Sequence, residues 1–281
     1  MHTYDDLVEA PESCGDDYFD GEEFALRSEI EATQYWHVHR RRVLLQTLRS
    51  LSLPESARLV ELGCGIGTVA THLNAGGLHV DYGDVFGSAL EIAAQRAEEQ
   101  LGDRVSERRF MRVDVTQPIP LSGYDGILMF DVLEHLPDDE VVLQNVHAAL
   151  PNDGLLMLTV PAFQFLWSPW DDIEKHKRRY TRANLSALLE RTGFEVERAT
   201  YFFLPLFFAA SAVKGLRAVR NFVAPPGPAD DITQLAEAQG GPVLNRVMLG
   251  VLATERPWLS QLPLPLGTSV MAIARKRQAP G

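Results

Sequence analysis

At 281 residues, with 46% apolar and 23% charged side chains, the chain can bury one large core or two small ones and has an ordinary globular composition. A formal net charge of -12 argues against nucleic acid or an anionic membrane surface as a general partner, and two cysteines, Cys14 and Cys64, make neither a disulfide framework nor a zinc site. The acidic start MHTYDDLVEAPES carries no secretory signal, and the most apolar window, YFFLPLFFAASAV (201–213), is too short and proline-interrupted to span a bilayer, so a cytoplasmic protein without stable membrane insertion is expected.

Residues 1–24 lack periodicity and read as a flexible arm. Glu29 to Leu51 predicts a helix with apolar Ile30, Val38, Leu44, Leu45 and Leu48 and a cationic HRRR at 39–42. From Ala57 strands and helices alternate. Strands are expected at 57–62, 78–84, 108–115, 124–131, 154–161 and 195–203, with a last one at 268–276. Helices are expected at 67–77, 88–102, 138–154 and after Thr181, the last as a capped start. Such alternation predicts a Rossmann-like α/β three-layer sandwich: a mostly parallel seven-stranded sheet with helices on both faces. The detour at 204–267, rich in proline and aromatics, does not read as sheet. The expected layout is an arm and lid helix (1–52), a core (53–203), an inserted substrate or oligomer subdomain (204–267), and a last strand and tail (268–281).

The stretch LVELGCGIGTVATHL (59–73) places Gly63, Gly65 and Gly67 where the first core strand becomes a helix. Ligands bind at such strand-to-helix turns in parallel sheets, and glycine lets backbone approach them without a Cβ. A tight turn with packing glycines is the alternative. A G-x-G-x-x-G dinucleotide fingerprint would require glycine at position 68, which is Thr68, so a nicotinamide oxidoreductase is the weaker reading.

With these residues the chain resembles class I S-adenosylmethionine-dependent methyltransferases over roughly 57–203 and again at the last strand. The resemblance implies S-adenosylmethionine as cofactor and S-adenosylhomocysteine as product. It places the turn of Gly63, Cys64, Gly65 and Gly67 under the carboxypropyl end, with Glu61 fixing the amino group indirectly. It implies that an acidic residue ending the second strand takes both ribose hydroxyls. Asp84, beside Val85 and 21 residues after Gly63, has that spacing, and Asp81 competes from mid-strand. In RVDVTQPIP (112–120) it implies adenine contacts from Asp114 and Val115. In ILMFDVLEHLPDD (127–139) it implies carbonyls near Phe130 at the methionyl amino group, with side chains after the strand facing the transferred methyl.

A sulfonium methyl is already activated, so transfer needs in-line approach, exclusion of water and, for a poor nucleophile, proton removal; no metal ligand is expected. Three stretches outside the cofactor motifs are candidates for the acceptor side. In QYWHVHRRR (34–42), Tyr35 and Trp36 can cover the methionine end and Arg40 or Arg41 its carboxylate, unless this is a docking helix with a solvated face. In WSPWDDIEKHKRRYT (167–181), Trp167 and Trp170 can wall an aromatic or apolar acceptor, His176 can take a proton and Tyr180 can orient the acceptor, unless Arg178, Arg179 and Tyr180 anchor the loop. His135 faces the acceptor or packs structurally with Glu134, and Asp138 and Asp139 suit a helix start better than a metal. The 204–267 detour can roof an apolar acceptor or form a homo-oligomer contact. The expected function is methyl transfer to a small aromatic or apolar metabolite at oxygen, nitrogen or carbon, in secondary metabolism; a lipid- or sugar-linked acceptor and a non-catalytic cofactor-binding partner protein are the alternatives.

Overall fold

The computed structural model describes residues 5–6, 28, 30–223, 241–259 and 262–277. Its sheet contains the seven expected strands: β2 (Arg58–Leu62), β3 (His79–Asp84), β4 (Phe110–Arg112), β5 (Gly126–Phe130), β6 (Leu155–Pro161), β7 (Phe194–Phe202) and β8 (Ser269–Lys276). An eighth, β1 (Asp5–Asp6), adds to the β4 edge in parallel, and Asp5 Oδ2 pairs with Arg109 Nη2 at 2.8 Å. These two residues therefore depart from the expected arm; the rest of 1–24 lies outside the described residues. The order is β1-β4-β3-β2-β5-β6-β8-β7, with β8 antiparallel to both neighbours.

The strands read as near-continuous apolar runs because both faces are covered. All of LLMLTVP in β6 is buried, as is all of GILMF in β5. Period-two alternation sends Val60, Ile127 and Leu156 into one core and Leu59, Leu128 and Leu155 into the other. The first is covered by α4 (Asp139–Ala149) and α6 (Arg182–Arg191), the second by α1 (Tyr35–Ser50), α2 (Thr68–Ala75) and α3 (Gly87–Leu101).

Caps fix where these helices begin. Asp138 accepts from the Val141 amide ahead of α4, and Thr181 and Asn184 make a reciprocal capping box for α6. Asp139 accepts from the Tyr180 hydroxyl and pairs with Arg178. The two acids thus serve the helix start, as expected.

The helix expected from Glu29 breaks at Gln34, which is extended (φ −67°, ψ 138°), before α1 begins. The described part of the detour is mostly helical: α7 (Leu204–Val223), α8 (Pro242–Ala253) and the short α9 (Arg256–Leu259), and Leu264 then bridges to Tyr201. The PPGP segment at 225–228 lies outside the described residues. Phe208, Leu216, Val243 and Val247 are exposed along α7 and α8. Among the described residues, no helix is long and apolar enough to cross a membrane.

Strand order reverses between β2 and β5: from β2 the chain steps outward to β3 and β4, then returns to β5 and moves the other way. The carboxyl ends of these parallel strands β2, β3, β4 and β5 lie there along one edge of the sheet, the position at which open α/β sheets bind ligands in a crevice.

Candidate active site

At the floor of this crevice the turn after β2 holds three left-handed glycines, with φ of 74° at Gly63, 53° at Gly65 and 72° at Gly67. They answer to different neighbours. A Cβ on Gly63 would meet Val132 Cγ2 at 2.5 Å, and one on Gly67 would meet Ala93 Cβ at 2.7 Å. A Cβ on Gly65 would meet no protein atom within 4 Å. Two of the three are therefore explained by packing, and Gly65 faces the crevice. Cys64 between them is buried, its thiol pushed well up by burial and then by the nearby Asp84 and Glu61 carboxylates.

Asp84 closes β3 against this turn. Its Oδ2 accepts from the Gly65 amide at 2.7 Å and its Oδ1 from the Phe86 amide at 3.0 Å. The Val85 backbone also engages this carboxylate, which with about four acceptor sites still has capacity for an outside donor. Asp81 cannot play that part, because it is fully buried and already accepts from Tyr124, Arg58 and the Arg109 amide. Asp84 is the acidic residue presented to the crevice.

Glu61, two residues before Gly63, is buried, and its Oε2 has no hydrogen-bond partner. Burial raises its pKa to about 8, against the pull of Arg40 and a hydrogen bond from the Ala70 amide. Arg40 reaches in from α1, its Nη2 2.8 Å from Asp131 Oδ2 in an off-axis ion pair and its guanidinium 5.2 Å from the Trp36 ring centroid. Trp36 stacks on Phe203 at 5.4 Å, and Tyr35 packs partly buried against the same core. Arg41 turns away to the carbonyls of Glu31 and Ala32. Asp131, the residue after β5, sits at φ 56°, a strained conformation for a non-glycine residue, fixed by hydrogen bonds with Thr159.

Around the rim, Asp114 Oδ1 accepts from the Thr116 amide and hydroxyl, which shapes the loop after β4. Val115 is buried and its carbonyl accepts from Asn145; the Val85 carbonyl accepts from Arg112. Phe130 is buried at the end of β5.

The opposite wall is the loop after β6. Asp171, on the short helix α5 (Pro169–Ile173), is buried and accepts from Arg179 through Nε and Nη2, from Ser168 and from His176 Nδ1 at 2.8 Å. Burial works to raise its pKa, but these bonds outweigh it and hold the carboxyl well below the usual range. The Lys177 amide donates to the Glu134 carbonyl, which stitches this loop to the 3-10 turn Leu133–His135. His135 and His176 thereby meet edge to face, centroids 4.7 Å apart.

Other expected members of this wall stand elsewhere. Tyr180 is buried with its hydroxyl donated to Asp139, away from the crevice; burial, reinforced by that carboxylate, pushes its pKa far up. Trp170 is exposed, and Trp167 donates its Nε1 to Asp172. Aromatic surface comes instead from Phe163, which stacks on Tyr201 at 4.8 Å and tilts against Phe165 and Phe207. Sequence reasoning missed Phe163, Asp131 and Asp171. The Asp-to-His spacing in WDDIEKH was the available signal for Asp171.

The model of a methyltransferase domain matches residues 35–199, more than half of the chain. The chain belongs to the class I S-adenosylmethionine-dependent methyltransferases. A probable S-adenosylmethionine-dependent methyltransferase of Mycolicibacterium smegmatis is 32% identical over 98 residues, covering 32% of this chain and 38% of that protein. Trans-aconitate 2-methyltransferase of Variovorax paradoxus is 29% identical over 126 residues, covering 43% and 45%. The chain thus spans less than half the length of these curated relatives. The structure of Haemonchus contortus phosphoethanolamine N-methyltransferase 2 with S-adenosyl-L-methionine aligns over 84% of this chain and 52% of that one, with a TM-score of 0.51 and 16% identity, a likeness of fold.

The residues at this switch point fit the family's cofactor on their own geometry. Gly65 leaves open space beside its Cα, Asp84 retains lone pairs for hydroxyl donors, and the buried Glu61 Oε2 lacks a hydrogen-bond partner. The nicotinamide reading loses its ground, since residue 68 is a threonine beginning α2.

Proposed function

We propose that this chain moves the methyl group of S-adenosylmethionine to a small aromatic or apolar acceptor, leaving S-adenosylhomocysteine. One observation carries the cofactor half: Gly65, Asp84 and the orphaned Glu61 oxygen converge at the switch point of the sheet. On this reading Asp84 clasps the ribose, Glu61 and Arg40 set the charge around the amino-acid tail, and Asp114 and Val115 meet the adenine. The bound cofactor supplies the activated methyl group. The chain positions the acceptor, excludes water through the α1 lid and accepts a proton.

The acceptor half rests on the aromatic surface of Phe163, Phe165 and Phe207 and on the His135–His176 pair. With Nδ1 bound to Asp171, His176 presents Nε2 toward the crevice as the proton-accepting nitrogen. A small acceptor agrees with the relative named for trans-aconitate. A second reading, an acceptor carrying a lipid tail, is favoured by the exposed apolar side chains Phe208, Leu216, Val243 and Val247.

The test is calorimetry with S-adenosylhomocysteine, followed by incubation with S-adenosylmethionine and a panel of free and prenyl-linked phenols, amines and carboxylic acids, read by mass spectrometry. Binding with a mass gain of one CH₂ on some acceptor supports enzymatic transfer. Binding with no methylated product across the panel favours the non-catalytic partner.

A further inference from the structure

One buried group in the crevice has no hydrogen-bond partner at either oxygen. Glu134 is fully buried, and neither Oε1 nor Oε2 is satisfied. An ionised carboxylate in such a place calls for a cation, and a neutral one still lacks its hydrogen bonds. Two imidazoles face it. His176 Nε2 lies 4.0 Å from Glu134 Oε1, and His135 packs against the His176 ring. One donor atom from each of the three residues lies within 4.8 Å of the others.

The surroundings are arranged for ligation. Asp171 engages His176 Nδ1, which turns the Nε2 lone pair into the cluster; a carboxylate behind the far nitrogen is how proteins orient imidazole ligands. Asp171 is itself clamped by both nitrogens of the Arg179 fork. Asp131, Glu134 and Asp171 set three carboxylates against the guanidiniums of Arg40 and Arg179, so with neutral imidazoles an ionised Glu134 leaves negative charge uncompensated. Glu174 faces His135 as well.

We infer that Glu134, His135 and His176 form a binding site for a transition-metal dication of the zinc or cobalt kind, open on one side to an oxygen of the acceptor. Two nitrogens and one carboxylate suit such an ion better than magnesium or calcium, which prefer oxygen throughout. An ion about 2.0–2.2 Å from each ligand places tetrahedral ligand atoms roughly 3.4 Å apart, so the cluster must close by little more than about an ångström. Three protein ligands leave a position free, the pattern of reactive rather than structural sites.

The acceptor clause rests on the methyl-transfer reading; the site itself does not. An acceptor hydroxyl taking the ion's open position would release its proton to solvent on binding, before water is excluded for the transfer. Its oxygen lone pair forms the new O–C bond while the S–C bond breaks and its electron pair returns to sulfur as a neutral thioether. His176 would then hold the ion with the lone pair that would otherwise take the proton.

The experiment strips the full chain with a chelator and titrates it with Co²⁺ followed by visible absorption, and with Zn²⁺ by calorimetry. S-adenosylhomocysteine affinity is measured on the same stripped samples. The expected result is one equivalent of Co²⁺ with d–d bands of low coordination number, weakened at least tenfold in His176→Ala and in Glu134→Gln. Asp171→Asn should weaken it about 10- to 100-fold while circular dichroism stays that of the parent. No binding by the parent, or binding in His176→Ala or His135→Ala as strong as the parent's, overturns the site. If Asp171→Asn does not fold, the His176 and Glu134 variants decide. Retained S-adenosylhomocysteine binding alongside absent metal binding would defeat this inference and leave the proposed methyl transfer standing, with His176 as a direct base.

Discussion

His39 on α1 and Glu255, the residue before α9, meet at 2.8 Å across 216 positions of sequence, and both are buried. The same Glu255 carboxylate accepts from the amides of Phe203 and Leu204, so it caps the start of α7 from a distance while holding α1. Phe203 sits at φ 63°, a conformation that this contact helps to hold. Glu255→Ala strands two amides and an imidazole, and about 3 kcal/mol of stability should be lost, with Glu255→Gln losing less. Urea denaturation reads the difference. An alanine variant as stable as the parent would show that this contact does not anchor α1.

The two aspartates of β3 should separate cleanly. Asp84→Ala is expected to weaken S-adenosylhomocysteine binding by about 1–3 kcal/mol, because charge-assisted hydrogen bonds to the ribose are lost. Asp81→Asn should instead lower stability with little change in affinity, since its partners are Tyr124, Arg58 and the Arg109 amide. Calorimetry and melting on both variants check this, and the reverse pattern would exchange their roles.

Within the glycine turn, Gly67→Ala drives a methyl group against Ala93 Cβ and should cost more stability than Gly65→Ala, which meets no protein atom. Both bear the cost of a positive φ, roughly 1–2 kcal/mol. Only at Gly65 should the added methyl lower S-adenosylhomocysteine affinity beyond its effect on folding. Equal affinity in the parent and Gly65→Ala would move the ligand away from this turn.

Cofactor binding should be linked to protons through Glu61. Burial raises its folded pKa to about 8, above the unfolded value of about 4.3, so the free protein holds a proton there at neutral pH. A cationic amino group favours the carboxylate, and binding near pH 7 should release a proton. Affinity should therefore rise from pH 6 toward about 8 by up to roughly tenfold per unit, then level. The sign for stability is opposite: without ligand, Glu61 stabilises the fold fully below about 4.3, and that contribution is lost as pH rises toward about 8. Calorimetry in buffers of different ionisation enthalpy counts the proton, and Glu61→Gln should abolish its release.

Much of this was legible along the chain. The alternation of strands and helices, the left-handed glycines, Asp84 at its strand end and the Thr181 cap all depend on residues near one another in sequence. The loop at 167–181 was recognised as a functional candidate, but Trp170 faces outward and Tyr180 inward to Asp139, because side-chain direction there follows the α5 turn and the packing of α6. Likewise Glu134 read as an ordinary neighbour of His135 until the loop from β6 folded over it.

By itself the sequence determined that a parallel sheet with a cofactor turn would form, since apolar periodicity and glycine stereochemistry act within a few residues. Tertiary structure alone decided which acids are spent on the fold and which face the crevice. That choice turns on desolvation and on partners brought from remote segments: Tyr124 and Arg58 satisfy Asp81, Arg179 and His176 satisfy Asp171, and among the described residues none satisfies the Glu134 carboxylate. Sheet order sets those distances, and no local pattern encodes them.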